Sequence, residues 1–152
     1  MDDAAAQLET FRAKYLPEVA QQGRLAVARL RNRLPGCDAI VYDNYNFLVV
    51  GFTPDGKTGH AIMSIAQAPR WATLCFLFGI DLDDPAGLFS GSGSQVRSVR
   101  LAAASDLELP AIAELIEQAI ARSRVPYDPL RAGQLVIKSI SQKQRPRRPS
   151  HG

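Results

Sequence analysis

The chain has 152 residues, of which 46% are hydrophobic, and a net charge of +3. That length suits one domain with a sizeable core, and two cysteines are too few for a disulfide-built scaffold. No apolar run approaches the roughly 18 residues of a membrane helix, and the acidic start Met1-Asp2-Asp3-Ala4 is unlike a secretory leader, so a cytoplasmic protein without membrane contact is expected.

Ala4, Leu8, Phe11 and Tyr15 recur at helical spacing and predict a first helix over residues 3–15. Pro17 suits the first turn of a second helix reaching residue 34, with Gly23, Val27, Leu30 and Leu34 on one face. Arg24, Arg29, Arg31 and Arg33 surround that face on different flanks and read as solvated, with stems lying along the protein surface.

After Pro35-Gly36 the periodicity moves towards two, and strands are expected at 38–43, 47–52, 60–66, 73–78 and 98–101. Short turns between the first four imply an antiparallel meander. Pro110 then opens a third helix, running to Val125-Pro126, that packs through Ile112, Leu115, Ile116, Ala119 and Ile120; residues 134–139 read as a last strand. The expected class is α+β, a two-layer antiparallel sheet of five to six strands with about three helices. Residues 47–50 and 74–78 are apolar at every position, which implies a second covered sheet face. A dimer partner, a ligand or the C-terminal segment could cover it.

Residues 3–141 form the expected single domain, and 142–152 the expected basic, disordered tail. Arg131, Lys138, Lys143, Arg145, Arg147 and Arg148 carry the final segment's charge with no acid among them, so the preceding body is mildly acidic. The tail contains no aromatic residue on which a base could stack, so weak, non-specific association is the most expected of it and nucleic acid is not the anticipated partner.

Several motifs invite chemistry. Gly51-Phe52-Thr53-Pro54-Asp55-Gly56-Lys57-Thr58 matches the P-loop pattern, but a phosphate site needs a helix directly after the loop and a crossover to a parallel strand. Only ten residues separate Thr58 from Pro69, and Pro54-Asp55-Gly56 is turn chemistry, so a β-hairpin is expected. Asp81, Asp83 and Asp84 could hold a hard cation but lack the EF-hand spacing and read as a turn. Cys37 and Cys75 sit in apolar, strand-like contexts and read as inert free thiols. With His60 at a strand start and His151 in the tail, no nucleophile has an evident base, so no enzyme activity and no cofactor are expected. Gly91-Ser92-Gly93 ahead of Arg97 and Arg100 could form an anion nest or a flexible loop entering a strand.

From Trp71 to Leu101 the chain resembles the YdhG-like family of bacterial domains. The likeness rests on the strand around Leu74-Cys75-Phe76-Leu77-Phe78, the turn Asp83-Asp84-Pro85-Ala86-Gly87-Leu88-Phe89 and the approach Gly91-Ser92-Gly93-Ser94-Gln95-Val96-Arg97. Leu135-Val136-Ile137-Lys138-Ser139 and the basic residues after it resemble the end of some relatives. The resemblance implies a helix-flanked antiparallel sheet, and some members are labelled frataxin-like iron chaperones. Ser90, Ser94 and Ser98 stand where relatives often carry an acid, a lysine and a histidine, and Arg70-Trp71 replaces a basic residue and a histidine. The functional expectation is a non-catalytic binding module whose apolar sheet face, near Tyr42, Phe47 and Trp71, meets a small molecule or protein partner, a second copy included. Gly91, Gly93, Arg97 and Arg100 are its candidate polar contacts.

Overall fold

The computed structural model describes residues 3–149. Helices α1 (Asp3–Arg12) and α2 (Pro17–Arg33) lead into a meander of β1 (Asp38–Asp43), β2 (Leu48–Thr53), β3 (Met63–Gln67) and β4 (Ala72–Phe76). A long loop reaches β5 (Arg97–Leu101), and α3 (Pro110–Ala121) precedes β6 (Leu135–Ile140). The six strands form one sheet in the order β5-β4-β3-β2-β1-β6, an α+β architecture with three α-helices.

One expectation is corrected. Every pairing is antiparallel except that of β6, which runs parallel to β1 with a register shift between Val41 and Tyr42. Five alternating strands leave β5 pointing the same way as β1; the following segment with α3 carries the chain back to the far edge, so β6 enters in that same direction. Gly133 is needed on this return, because a Cβ there would lie 1.9 Å from the carbonyl oxygen of Cys37.

The helices all contribute to one core with a single alternate set of strand residues, Val41, Val50, Phe52, Ile65, Leu74 and Phe76 among them. Ile112, Leu115, Ile116 and Ala119 of α3 are buried there, as their spacing requires. α1 ends earlier than its periodicity suggests, and Tyr15 beyond it is only 1% exposed, donating to the Gln67 carbonyl at 2.8 Å and accepting from the Leu48 amide at 3.2 Å. The arginines of α2 lie at the surface as expected, three of them in ion pairs: Arg24 meets Glu9 at 2.7 Å, Arg29 meets Glu108 and Arg33 meets Glu117. Such exposed pairs contribute at most about 1 kcal/mol each.

The segment after residue 141 is also corrected. Through Pro149 it lies against the body rather than extending from it. Arg147 is 4% exposed, and its guanidinium donates to Asp43 Oδ1 at 2.9 Å. The Arg145 amide donates to the Tyr45 carbonyl at 2.8 Å, and Arg148 Nε to the Lys14 carbonyl at 3.2 Å. The reason is Asp43, a carboxylate in the helix-facing set of β1 whose side chain is completely buried. A buried anion demands cations, and among the described residues Lys14, at 2.6 Å, and Arg147 supply them. Residues 150–152, including His151, lie outside the described residues.

Candidate functional site

β-strand alternation puts a second set of residues on the opposite face. Register aligns Ile40, Gly51, Ser64, Cys75 and Ser98 in one row across the sheet, and Tyr42, Val49, Ala66, Thr73 and Arg100 in the next. None belongs to the helix-packed core cluster. The three α-helices leave this face uncovered: Val49, Cys75 and Leu77 face outward, half-buried, while Ile40 is buried. The small residues Gly51, Ser64 and Cys75 lower the sheet surface here between larger neighbours.

That lowering makes a groove of about 180 Å³. Gly51, Ser64 and Cys75 line it with Ile40, Tyr42 and Val49, and Leu77 and Val96 also border it. No residue of the three α-helices lines it. The Tyr42 hydroxyl is raised above its ordinary pKa by burial, partly offset by a hydrogen bond with Thr58. Burial likewise raises the Cys75 thiol, against a bond with Ser64. Cys37 lies away from the groove, and burial pushes its thiol up to about 12. Both thiols are unpaired, and neither is ionised near neutrality.

The P-loop motif folds as the expected hairpin. β2 continues through Thr53, a turn follows, and the next regular element is a single 3-10 turn over Thr58–His60 before β3 returns antiparallel. The turn holds a pair that sequence inspection missed: Asp55 Oδ2 lies 2.7 Å from His60 Nδ1, while Asp55 Oδ1 accepts from the Thr53 hydroxyl and the Lys57 amide. Asp55 followed five residues later by His60 was the available signal. Through these bonds Asp55 clasps the turn to the 3-10 segment that follows it.

The predicted site residues divide into separate places. Tyr42 borders the groove. Trp71 and Arg100 share its face further along, where the Arg100 guanidinium lies over the indole ring, 3.7 Å from the centroid. Phe47 is exposed at the β1–β2 turn and joins Trp71 in a different cleft, with the docked C-terminal segment. Gly91, Gly93 and Arg97 lie elsewhere, and the anion nest does not form. Arg97 donates to the carbonyls of Gly93 at 2.6 Å and Val96 at 2.8 Å, since residues 90 and 98 bridge and fold the loop back on its own arginine. Gly91 makes that fold possible at φ +114°, where a side chain would be strained.

The acidic trio also disperses. Asp81 pairs with Arg124 at 3.0 Å, Asp83 with Arg122 at 3.3 Å, and Asp84 accepts from the amides of Leu88 and Phe89 at 2.9 and 2.8 Å. Among the described residues no group of three or more His, Cys, Asp or Glu side chains is placed to hold a metal ion, and no helix is long and apolar enough to cross a membrane.

Fold and site together define an α+β protein with a helix-covered face and a grooved, uncovered one. Comparison with known protein families, curated proteins and solved structures found no match.

Proposed function

We propose that this protein is a non-catalytic binding module whose uncovered sheet face receives an apolar group, from a small ligand or from the side chain of a protein partner. The carrying observation is the groove floored by Gly51, Ser64 and Cys75 on a face that no α-helix of the described chain lines. At about 180 Å³ it is smaller than the roughly 300–1,000 Å³ of a typical enclosed ligand site, which favours one ring or side chain over a whole cofactor. Its titratable groups, Tyr42 and Cys75, are held in their neutral forms and lack a paired base, which supports binding over catalysis.

Membership of the YdhG-like family is part of the same proposal, supported by a helix-flanked, mostly antiparallel sheet. A cytoplasmic setting accords with two free cysteines. The iron-chaperone reading draws no support from the geometry, because Asp81, Asp83 and Asp84 each face their own arginine or backbone partners.

Titration of isotope-labelled protein with indole, followed by amide chemical shifts, tests the groove. Shifts are expected at Gly51, Ser64 and Cys75. Unmoved amides there at millimolar indole would refute it. Light scattering on the eluting protein identifies a second copy as the occupant if a stable dimer forms.

A further inference from the structure

Eight of the fourteen arginines of this protein are paired with acids. Arg12, Arg24, Arg29, Arg33, Arg122, Arg124, Arg131 and Arg147 each face a carboxylate. Among the described residues Arg31, Arg70, Arg97, Arg100, Arg145 and Arg148 face none, and of these six Arg70, Arg100, Arg145 and Arg148 gather around two aromatic rings. Arg70, Arg145 and Arg148 line a cleft of about 370 Å³ with Phe47, Trp71 and three prolines, and its lining contains no acidic residue. Arg100 lies over Trp71 from the neighbouring strand. Arg145 also approaches the ring of Tyr45, 5.6 Å from its centroid.

The cleft is assembled from three distant pieces of chain. The β1–β2 turn contributes Asn46 and Phe47, the β3–β4 turn contributes Pro69, Arg70 and Trp71, and the docked segment contributes Arg145, Pro146, Arg148 and Pro149. Its base is firm, because Arg147 is anchored on the buried Asp43 and Arg148 donates to the carbonyls of Lys14 and Ala13. Those last bonds orient Arg148 without neutralising it.

Uncompensated guanidiniums beside exposed aromatic faces fit a ligand that alternates fixed negative charge with flat apolar rings. We propose that this cleft binds single-stranded nucleic acid, with bases stacking on Phe47 and on the Trp71–Arg100 pair, and phosphates meeting Arg70, Arg145 and Arg148. An acidic peptide would match the charge but leave the rings unused. The cleft is open at the surface, so the strand continues past it, and stacking without base-edge readout gives little sequence preference. The absence of aromatics within residues 142–149 pointed away from such a partner; the turns supply the rings instead.

Trp71 is the only tryptophan, so its fluorescence reports on the cleft alone. The full chain is titrated with short oligothymidylate and oligouridylate strands of about 12 nucleotides. Quenching of Trp71 is expected with both. About three phosphate contacts predict a log–log salt slope near −2, so affinity should fall roughly 20-fold between about 50 and 200 mM salt. Arg70 and Arg145 are exposed and form no side-chain hydrogen bond among the described residues, so Arg70→Ala with Arg145→Ala should preserve the fold and weaken binding at least about 10-fold. Phe47→Ala should weaken it several-fold, whereas Arg31→Ala, on the exposed surface of α2, should not. The proposal is overturned if the strands leave Trp71 unquenched at tens of micromolar in low salt. It is equally overturned if the double variant binds as the wild type does, or if thymidine monophosphate binds as tightly as the strand. The sheet-face groove is read by different residues, so neither result decides the other.

Discussion

Arg147 and Asp43, 104 residues apart, meet at 2.9 Å with side chains 3% and 0% exposed. Lys14 bonds the other carboxylate oxygen at 2.6 Å, and the Arg147 guanidinium lies 5.9 Å from the centroid of the Tyr15 ring. The C-terminal segment is thereby tied to the first strand and to the turn after α1 at once. Replacing Arg147 with methionine leaves a buried carboxylate facing Lys14 alone and should cost about 3 kcal/mol or more of unfolding free energy. Asp43→Asn with Arg147→Met should recover part of that loss, because the paired removal leaves no buried charge without a partner. Urea denaturation of the four members of the cycle measures this coupling, and additive losses would contradict it.

Acid should unfold the protein partly through the same carboxylate. Burial alone would raise the pKa of Asp43, but the hydrogen bonds from Lys14, Gln144 and Arg147 outweigh it and hold the group below its ordinary value. Asp38 behaves alike: burial raises it, and Arg131 with the Gln134 amide lowers it further. A depressed folded pKa adds stability that is fully present above the unfolded value of about 3.9 and is lost as pH falls through the folded value. Unfolding free energy should therefore be level near neutrality and drop below about pH 4. Asp43→Asn should flatten that drop. Calorimetry across this range checks the sign.

Ending the chain at Ser141 removes Gln144, Arg145 and Arg147 together. If residues 142–149 were a detached tail, stability would not change. The docked arrangement predicts a loss comparable to that of Arg147→Met, about 3 kcal/mol or more, read by chemical denaturation. It also predicts that trypsin cuts after Arg147 only as fast as the protein opens.

Two glycines should respond in opposite ways. A Cβ at Gly51 meets nothing closer than the Ile40 carbonyl oxygen at 4.0 Å, so Gly51→Val fits the strand and should change stability by no more than about 1 kcal/mol while filling the groove. Its indole response should vanish. A Cβ at Gly133 would collide with the backbone of Cys37 at 1.9 Å and Pro35 at 2.7 Å, so Gly133→Ala should displace the entry to β6 and cost about 3 kcal/mol. Thermal unfolding of both variants separates the cases.

The amino-acid sequence by itself determined the parts whose signals are local. Pro17 and Pro110 mark helix starts, the stripe Ile112, Leu115, Ile116 and Ala119 defines the buried side of α3, and Pro54-Asp55-Gly56 turns a P-loop match into a hairpin. Each depends on neighbours within a few residues, where φ preferences and side-chain periodicity act directly. Tertiary structure alone decided the rest. The parallel entry of β6, the inward turn of Arg147 and the meeting of Phe47, Trp71 and Arg145 all depend on residues brought together from far along the chain. A lone arginine in a proline-containing basic stretch has no periodicity to reveal that a buried carboxylate awaits it. The uncovered face was hidden for a related reason: hydrophobicity tells that a strand residue avoids water, but only the register across five strands shows Gly51, Ser64 and Cys75 falling in one recessed row.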